Sequence, residues 1–60
     1  MIRWARIWVQ ALDPLDGYFV EILEPIGKHG DCQVDCTWFL TIDHCIAWSK
    51  RVGALHYELI

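Results

Sequence analysis

The chain has 60 residues, of which 55% are hydrophobic and 22% are charged. This composition excludes intrinsic disorder, and the length excludes a multidomain enzyme. Eight acidic and five basic residues give a formal net charge of −3. That balance argues against a phosphate-binding surface, because such surfaces need a basic patch.

The first segment, residues 3–11, alternates between two sets of side chains and predicts a β-strand. A helix is the alternative, because Trp4, Trp8 and Leu12 are spaced four residues apart. The strand is favoured by the DPLDG segment that follows at 13–17, where proline and glycine suit a tight turn. We therefore predict a strand followed by a hairpin turn.

Two more strands are predicted before any helix. Residues 18–23 alternate and complete the hairpin, and residues 25–31 contain a proline and two glycines, which predicts a loop. The clearest alternation in the chain then runs over residues 32–41. Its two predicted faces are Cys32, Val34, Cys36, Trp38 and Leu40 on one side, and Gln33, Asp35, Thr37, Phe39 and Thr41 on the other.

A single helix is predicted over residues 43–52. Thr41 suits the N-cap, Asp43 suits the first turn, and Gly53 suits the left-handed residue that ends a helix. Residues 54–60 alternate once more and predict a fourth strand. The predicted fold is a single α+β domain over residues 1–60. One helix lies on one face of a small antiparallel or mixed four-stranded sheet, and the order along the chain is β-β-β-α-β. The helix forms a crossover connection between strands three and four, which allows these two strands to be parallel.

One helix can cover only one face of the sheet, so the other face is predicted to stay open. We expect the aliphatic set to face the helix, namely Ile7, Val9, Val20, Ile22, Val34, Leu40, Leu55 and Leu59, with Trp38 and Tyr57. The open face then carries Trp4, Trp8, Phe19, Leu23, Phe39 and Ile60, mixed with Arg6, Glu21, Asp35, His56 and Glu58. Large aromatics on a solvent-facing sheet usually mark an interaction surface.

The predicted partner-binding residues fall into two chemical types. The aromatic anchors and their neighbouring base are Trp4, Trp8, Phe19, Phe39 and Arg6, and the orienting carboxylates are Glu21, Asp31 and Asp35. The region from Asp13 to Asp35 holds six carboxylates and one base. These charges either keep an apolar chain soluble or dock into a basic groove that normally holds nucleic acid.

No catalytic role is predicted, and no cofactor. Cys36 and Cys45 are expected to face each other between sheet and helix, where buried thiols are inert. A zinc site is an alternative, with candidate ligands Cys32, Cys36, Cys45, His29, His44 and His56. Cys32 and Cys36, however, would lie about 13 Å apart along a strand.

The sequence is compatible with several kinds of partner. A four-stranded sheet with exposed aromatics resembles an RNA-binding platform, but the low basic content argues against direct nucleic-acid binding. A homodimer that buries its aromatic face is a further alternative. Arg3, Arg6 and Gln10 interrupt the only apolar run near the start, so no signal peptide or membrane span is expected, and we expect a cytoplasmic protein with reduced thiols.

In its short length, its acidity, its order of sheet and helix, and its aromatic and acidic surfaces, the chain resembles the small inhibitor proteins of phages and mobile elements. Anti-CRISPR proteins belong to this class. The resemblance implies a non-enzymatic protein that binds a nuclease or nucleic-acid-recognition complex and obstructs it. It assigns no residue a role, since the class shares no motif.

Overall fold

The computed structural model describes residues 2–9, 17–28 and 30–60. The predicted turn residues 13–16 and the candidate ligand His29 lie outside the described residues. The described elements follow the predicted order β-β-β-α-β. They are β1 (Trp4–Trp8), β2 (Tyr18–Pro25), β3 (Asp31–Phe39), α1 (Ile42–Arg51) and β4 (Tyr57–Leu59).

The four strands form one mixed sheet in the order β3-β2-β1-β4. The pairs β1–β2 and β2–β3 are antiparallel, whereas β1–β4 is parallel. Strands β3 and β4 therefore point the same way but lie at opposite edges, and α1 carries the chain from one edge to the other. The predicted α+β fold with a mixed sheet is confirmed.

The core lies between α1 and the two central strands. The fully buried apolar side chains are Ala5, Ile7, Val20, Ile22 and Cys45. Ile7, Val20 and Ile22 were predicted to face the helix, and this is confirmed. A helix of 10 residues spans about 15 Å, so it covers the centre of the sheet and not its edges. Val9 is partly buried and packs against this core. The other members of the predicted helix-facing set are wrong as core, because they are exposed: Val34, Trp38, Leu40, Leu55, Tyr57 and Leu59.

Both ends of α1 are capped as predicted. The Thr41 side chain accepts a hydrogen bond from the His44 amide at 3.2 Å. Gly53 has φ of 97°, and the Ala54 amide donates to the Ser49 carbonyl at 2.9 Å, which together give a Schellman motif. Within the described ranges, no helix is long and apolar enough to cross a membrane.

A β-bulge in β3 changes which of its side chains face α1. Ile22 pairs with Asp35 and Leu23 pairs with Gln33, so Val34 has no partner in the β2–β3 ladder and strict alternation is broken. From Asp35 onward the predicted faces are inverted. The side of the sheet away from α1, called the open face below, receives Cys36 and Trp38.

Two predicted open-face residues, Phe39 and Asp35, therefore lie on the α1 side, and that part of the prediction is wrong. Phe39 pairs with Tyr18 and contacts two helix rings, with centroid distances of 6.2 Å to His44 and 6.1 Å to Trp48. The alternation of a strand separates two faces, but it does not say which of them the helix covers.

Candidate functional site: the open face of the sheet

The register of the sheet places the open-face side chains in rows that run across the strands. Trp4 pairs with Leu23, Arg6 with Glu21, and Trp8 with Phe19. On the outer strands, Glu58 pairs with Arg6, and Cys36 pairs with Glu21. Two rows are therefore apolar at their centre, although Gln33 continues the Trp4–Leu23 row on β3, and the row between them is ionic at its centre.

The ionic row is held together by one carboxylate oxygen. Glu21 Oε1 accepts hydrogen bonds from Arg6 Nε at 2.7 Å and from Trp8 Nε1 at 2.8 Å. The Arg6 guanidinium carbon lies 5.8 Å from the Trp4 ring centroid and 5.5 Å from that of Trp8. Glu21 thus fixes a cation between two indoles.

This geometry changes the role of Glu21. The residue was predicted to be an orienting charge for a partner, but only 7% of its surface is exposed and its charge is paired with Arg6. A paired, buried carboxylate has little long-range attraction left for a basic partner. Within the chain, Glu21 positions Trp8 and Arg6.

The aromatic rings of the open face are in contact with one another but remain accessible. Trp38 is 58% exposed and Trp8 is 39% exposed. Phe19 packs on Trp38 with centroids 5.0 Å apart, and Trp4 stacks on His56 at 5.8 Å with an interplanar angle of 6°. The face therefore presents a partly exposed aromatic layer, and Trp38 belongs to it although sequence reasoning placed it elsewhere.

The predicted acidic residues of β3 are separate from this layer. Asp31 begins the strand and pairs with Pro25, while Asp35 lies opposite Ile22 on the α1 side. The Asp35 carboxylate accepts a hydrogen bond from the backbone amide of Cys36 at 2.8 Å. Of the eight predicted site residues, the structure brings together Trp4, Arg6, Trp8, Phe19 and Glu21 on the open face.

The three cysteines lie in three different environments. Cys32 and Cys36 are exposed on β3, whereas Cys45 is buried in the core. The predicted contact between Cys36 and Cys45 is therefore wrong, because Cys36 faces away from the helix. Burial raises the pKa of the Cys45 thiol, and its Sγ lies 3.8 Å from the carbonyl oxygen of Tyr18. Within the described part of the chain, no group of three or more His, Cys, Asp or Glu side chains is placed to hold a metal ion.

Comparison with known proteins gives no relative from which a role can be transferred. No protein-family model, no curated protein and no solved structure matches the chain. The functional argument therefore depends on the open face and its contacts.

Proposed function

We propose that this chain is a small, non-enzymatic protein-binding module that docks through its open face. The observation that supports this is the aromatic layer, in which Trp8 and Trp38 stay exposed around a neutral Arg6–Glu21 pair. Aromatic residues and arginine are enriched in interface cores and supply most binding hot spots. The rings are held in place before binding, so little side-chain entropy is lost when a partner covers them.

The proposed target is a nucleic-acid-binding or nuclease complex of a host defence system in the cytoplasm, which the module would obstruct. The class of target is taken from the resemblance to small phage inhibitors. Charge gives it further support, because β3, the edge strand that carries Trp38, holds Asp31 and Asp35 and no basic residue. A basic groove that normally holds DNA or RNA would complement this strand while the open face supplies the apolar contact.

The test is displacement of nucleic acid from a purified target. Candidate complexes are loaded with fluorescently labelled DNA or RNA, and the chain is titrated in while fluorescence anisotropy is recorded. We expect the wild-type chain to release the labelled strand. Trp38→Ala should weaken this effect about 30-fold, which corresponds to about 2 kcal/mol for a hot-spot residue.

Leu59→Ala is the matched control. Leu59 is 54% exposed, a fraction similar to that of Trp38, but it pairs with Ile7 and so lies on the α1 side. It should displace nucleic acid as well as the wild type does. Equal loss of activity in both variants, or full activity in both, would contradict docking through the open face. Binding without displacement would contradict the proposed obstruction.

A further inference from the structure

We infer that, in the absence of another partner, a second copy of this chain covers the open face. The two copies are related by a two-fold axis that runs parallel to the strands, between β1 and β2. This inference rests on the part of the proposed function that makes the open face a docking surface. It adds that self-association competes with the target for that surface.

The size of the open face suits such a pair. The molecule measures 36 × 22 × 15 Å along its principal axes, so it is a slab with two broad faces. Each partner of a standard interface contributes about 800 Å², and a face with edges of 36 and 22 Å is large enough to supply it. Two sheets packed face to face about 10 Å apart would bury the aromatic layer of both copies.

The strand order makes this axis central. In the order β3-β2-β1-β4, the boundary between β1 and β2 is the middle of the sheet. A two-fold axis along that boundary lays β1 of one copy over β2 of the other, and β3 over β4. All four strands then face a strand over the rows that they share, while the longer strands β2 and β3 extend beyond the ends of β1 and β4.

The same axis makes the side-chain rows self-complementary. It places each row that crosses the strands over the same row of the second copy. The Trp4–Leu23 and Trp8–Phe19 rows thus meet their own apolar counterparts. Apolar surface is then buried against apolar surface along the length of the sheet.

In the ionic row, opposite charges meet. Arg6 of each copy faces Glu21 of the other, because the two residues pair across the β1–β2 boundary. Among the described residues, Arg6 donates a hydrogen bond only through Nε, and Glu21 accepts only through Oε1. The Arg6 side chain is 33% exposed and that of Glu21 is 9% exposed, so the contact across the axis is made chiefly by the terminal guanidinium nitrogens of Arg6. An axis across the strands would instead place Arg6 over Arg6, which is repulsive.

The first experiment measures mass in solution without any target. Sedimentation velocity over a concentration series should show the wild-type chain moving from its 7.0 kDa monomer to twice that mass. Trp38→Glu places two unpaired charges in each dimer and should raise the dissociation constant at least ~100-fold. Leu59→Glu, on the α1 side, should leave it unchanged. A wild-type chain that stays monomeric, or a dimer lost only in Leu59→Glu, would overturn the inference. Circular dichroism checks that both variants are folded.

The second experiment tests the axis. Glu58, Arg6, Glu21 and Cys36 share one row, so the axis lays Cys36 over Glu58 of the second copy. In a Cys32→Ser background, Glu58→Cys should therefore cross-link between copies with a short bismaleimide. Within one copy these positions are three strand spacings apart, about 14 Å, which the reagent does not span. Equal cross-linking without the Glu58→Cys change would overturn this axis.

The two proposals fail separately. A monomeric chain whose Trp38→Ala variant loses its effect on the target keeps the proposed function and removes the dimer. A dimer that releases no nucleic acid from any defence complex keeps the dimer and removes the proposed target.

Discussion

Replacement of Glu21 by alanine removes the acceptor that Arg6 and Trp8 share. Hydrogen bonds to charged groups contribute about 1.5–3 kcal/mol each. Because a third of the Arg6 side chain is exposed, solvent replaces part of that contact, and we expect a loss of about 3 kcal/mol for the two bonds together. A 60-residue domain has roughly 3–9 kcal/mol of stability in total, so the variant should be close to unfolding at room temperature.

The assay is urea denaturation followed by far-ultraviolet circular dichroism at one fixed protein concentration. Glu21→Gln keeps an acceptor oxygen but loses the charge, so it should cost about half as much as Glu21→Ala. A double-mutant cycle with Arg6→Met should give a coupling energy of about 1–2 kcal/mol between the two residues. If Glu21→Ala costs less than about 1 kcal/mol, or if the cycle shows no coupling, the contacts at Oε1 do not stabilise the fold in the way argued here.

Four further predictions concern the scaffold. Gly17 has φ of 84°, and a Cβ there would lie 2.5 Å from a backbone carbonyl oxygen of β3, so Gly17→Ala should lower the unfolding free energy by about 3 kcal/mol in the same urea assay. Thr41→Ala removes the helix N-cap and should cost about 1 kcal/mol, whereas Thr41→Ser should cost little; equal losses would contradict the capping role. Iodoacetamide should label Cys32 and Cys36 in the native chain but reach Cys45 only after urea unfolding, which mass spectrometry would show. Burial raises the pKa of the Cys45 thiol in the folded state, so the unfolded state loses this proton at a lower pH than the folded state does. The contribution of Cys45 to the free energy of unfolding should therefore be fully present below about pH 8.5 and decline above it. The Cys45→Ala variant should lack that decline.

Much of the fold was predictable because its signals are local. Thr41 and Gly53 have side chains and backbone preferences suited to the two ends of a helix, and the structure uses both in that way. The alternation of β1 and β2 also identified their open-face residues correctly, including Trp8 and Phe19. These features depend on residues close in sequence, and for that reason pattern analysis finds them.

The errors concern contacts between distant segments. The bulge at Val34 depends on how β3 aligns with β2, and no local pattern indicates it. The exposure of Leu59 depends on β4 lying at the edge beyond the reach of α1. Glu21 was taken for a solvent-facing charge because the hydrogen bonds that bury it come from a different strand. The candidate site was therefore half predictable: its aromatic residues on β1 and β2 were found, whereas Trp38 on β3 and the ion pair that organises the rings were not.

The parallel pairing of β1 with β4 has a kinetic consequence. Ala5 pairs with Tyr57 and Ile7 pairs with Leu59, so β1, the first strand in chain order, meets its second neighbour only when residues 57–59 have been made. Closing a loop of that length must precede any gain from the contact, which slows folding relative to a chain with local pairings. A nascent chain that ends before β4 leaves one edge of β1 unpaired, and such an edge can pair with another chain until β4 has been made.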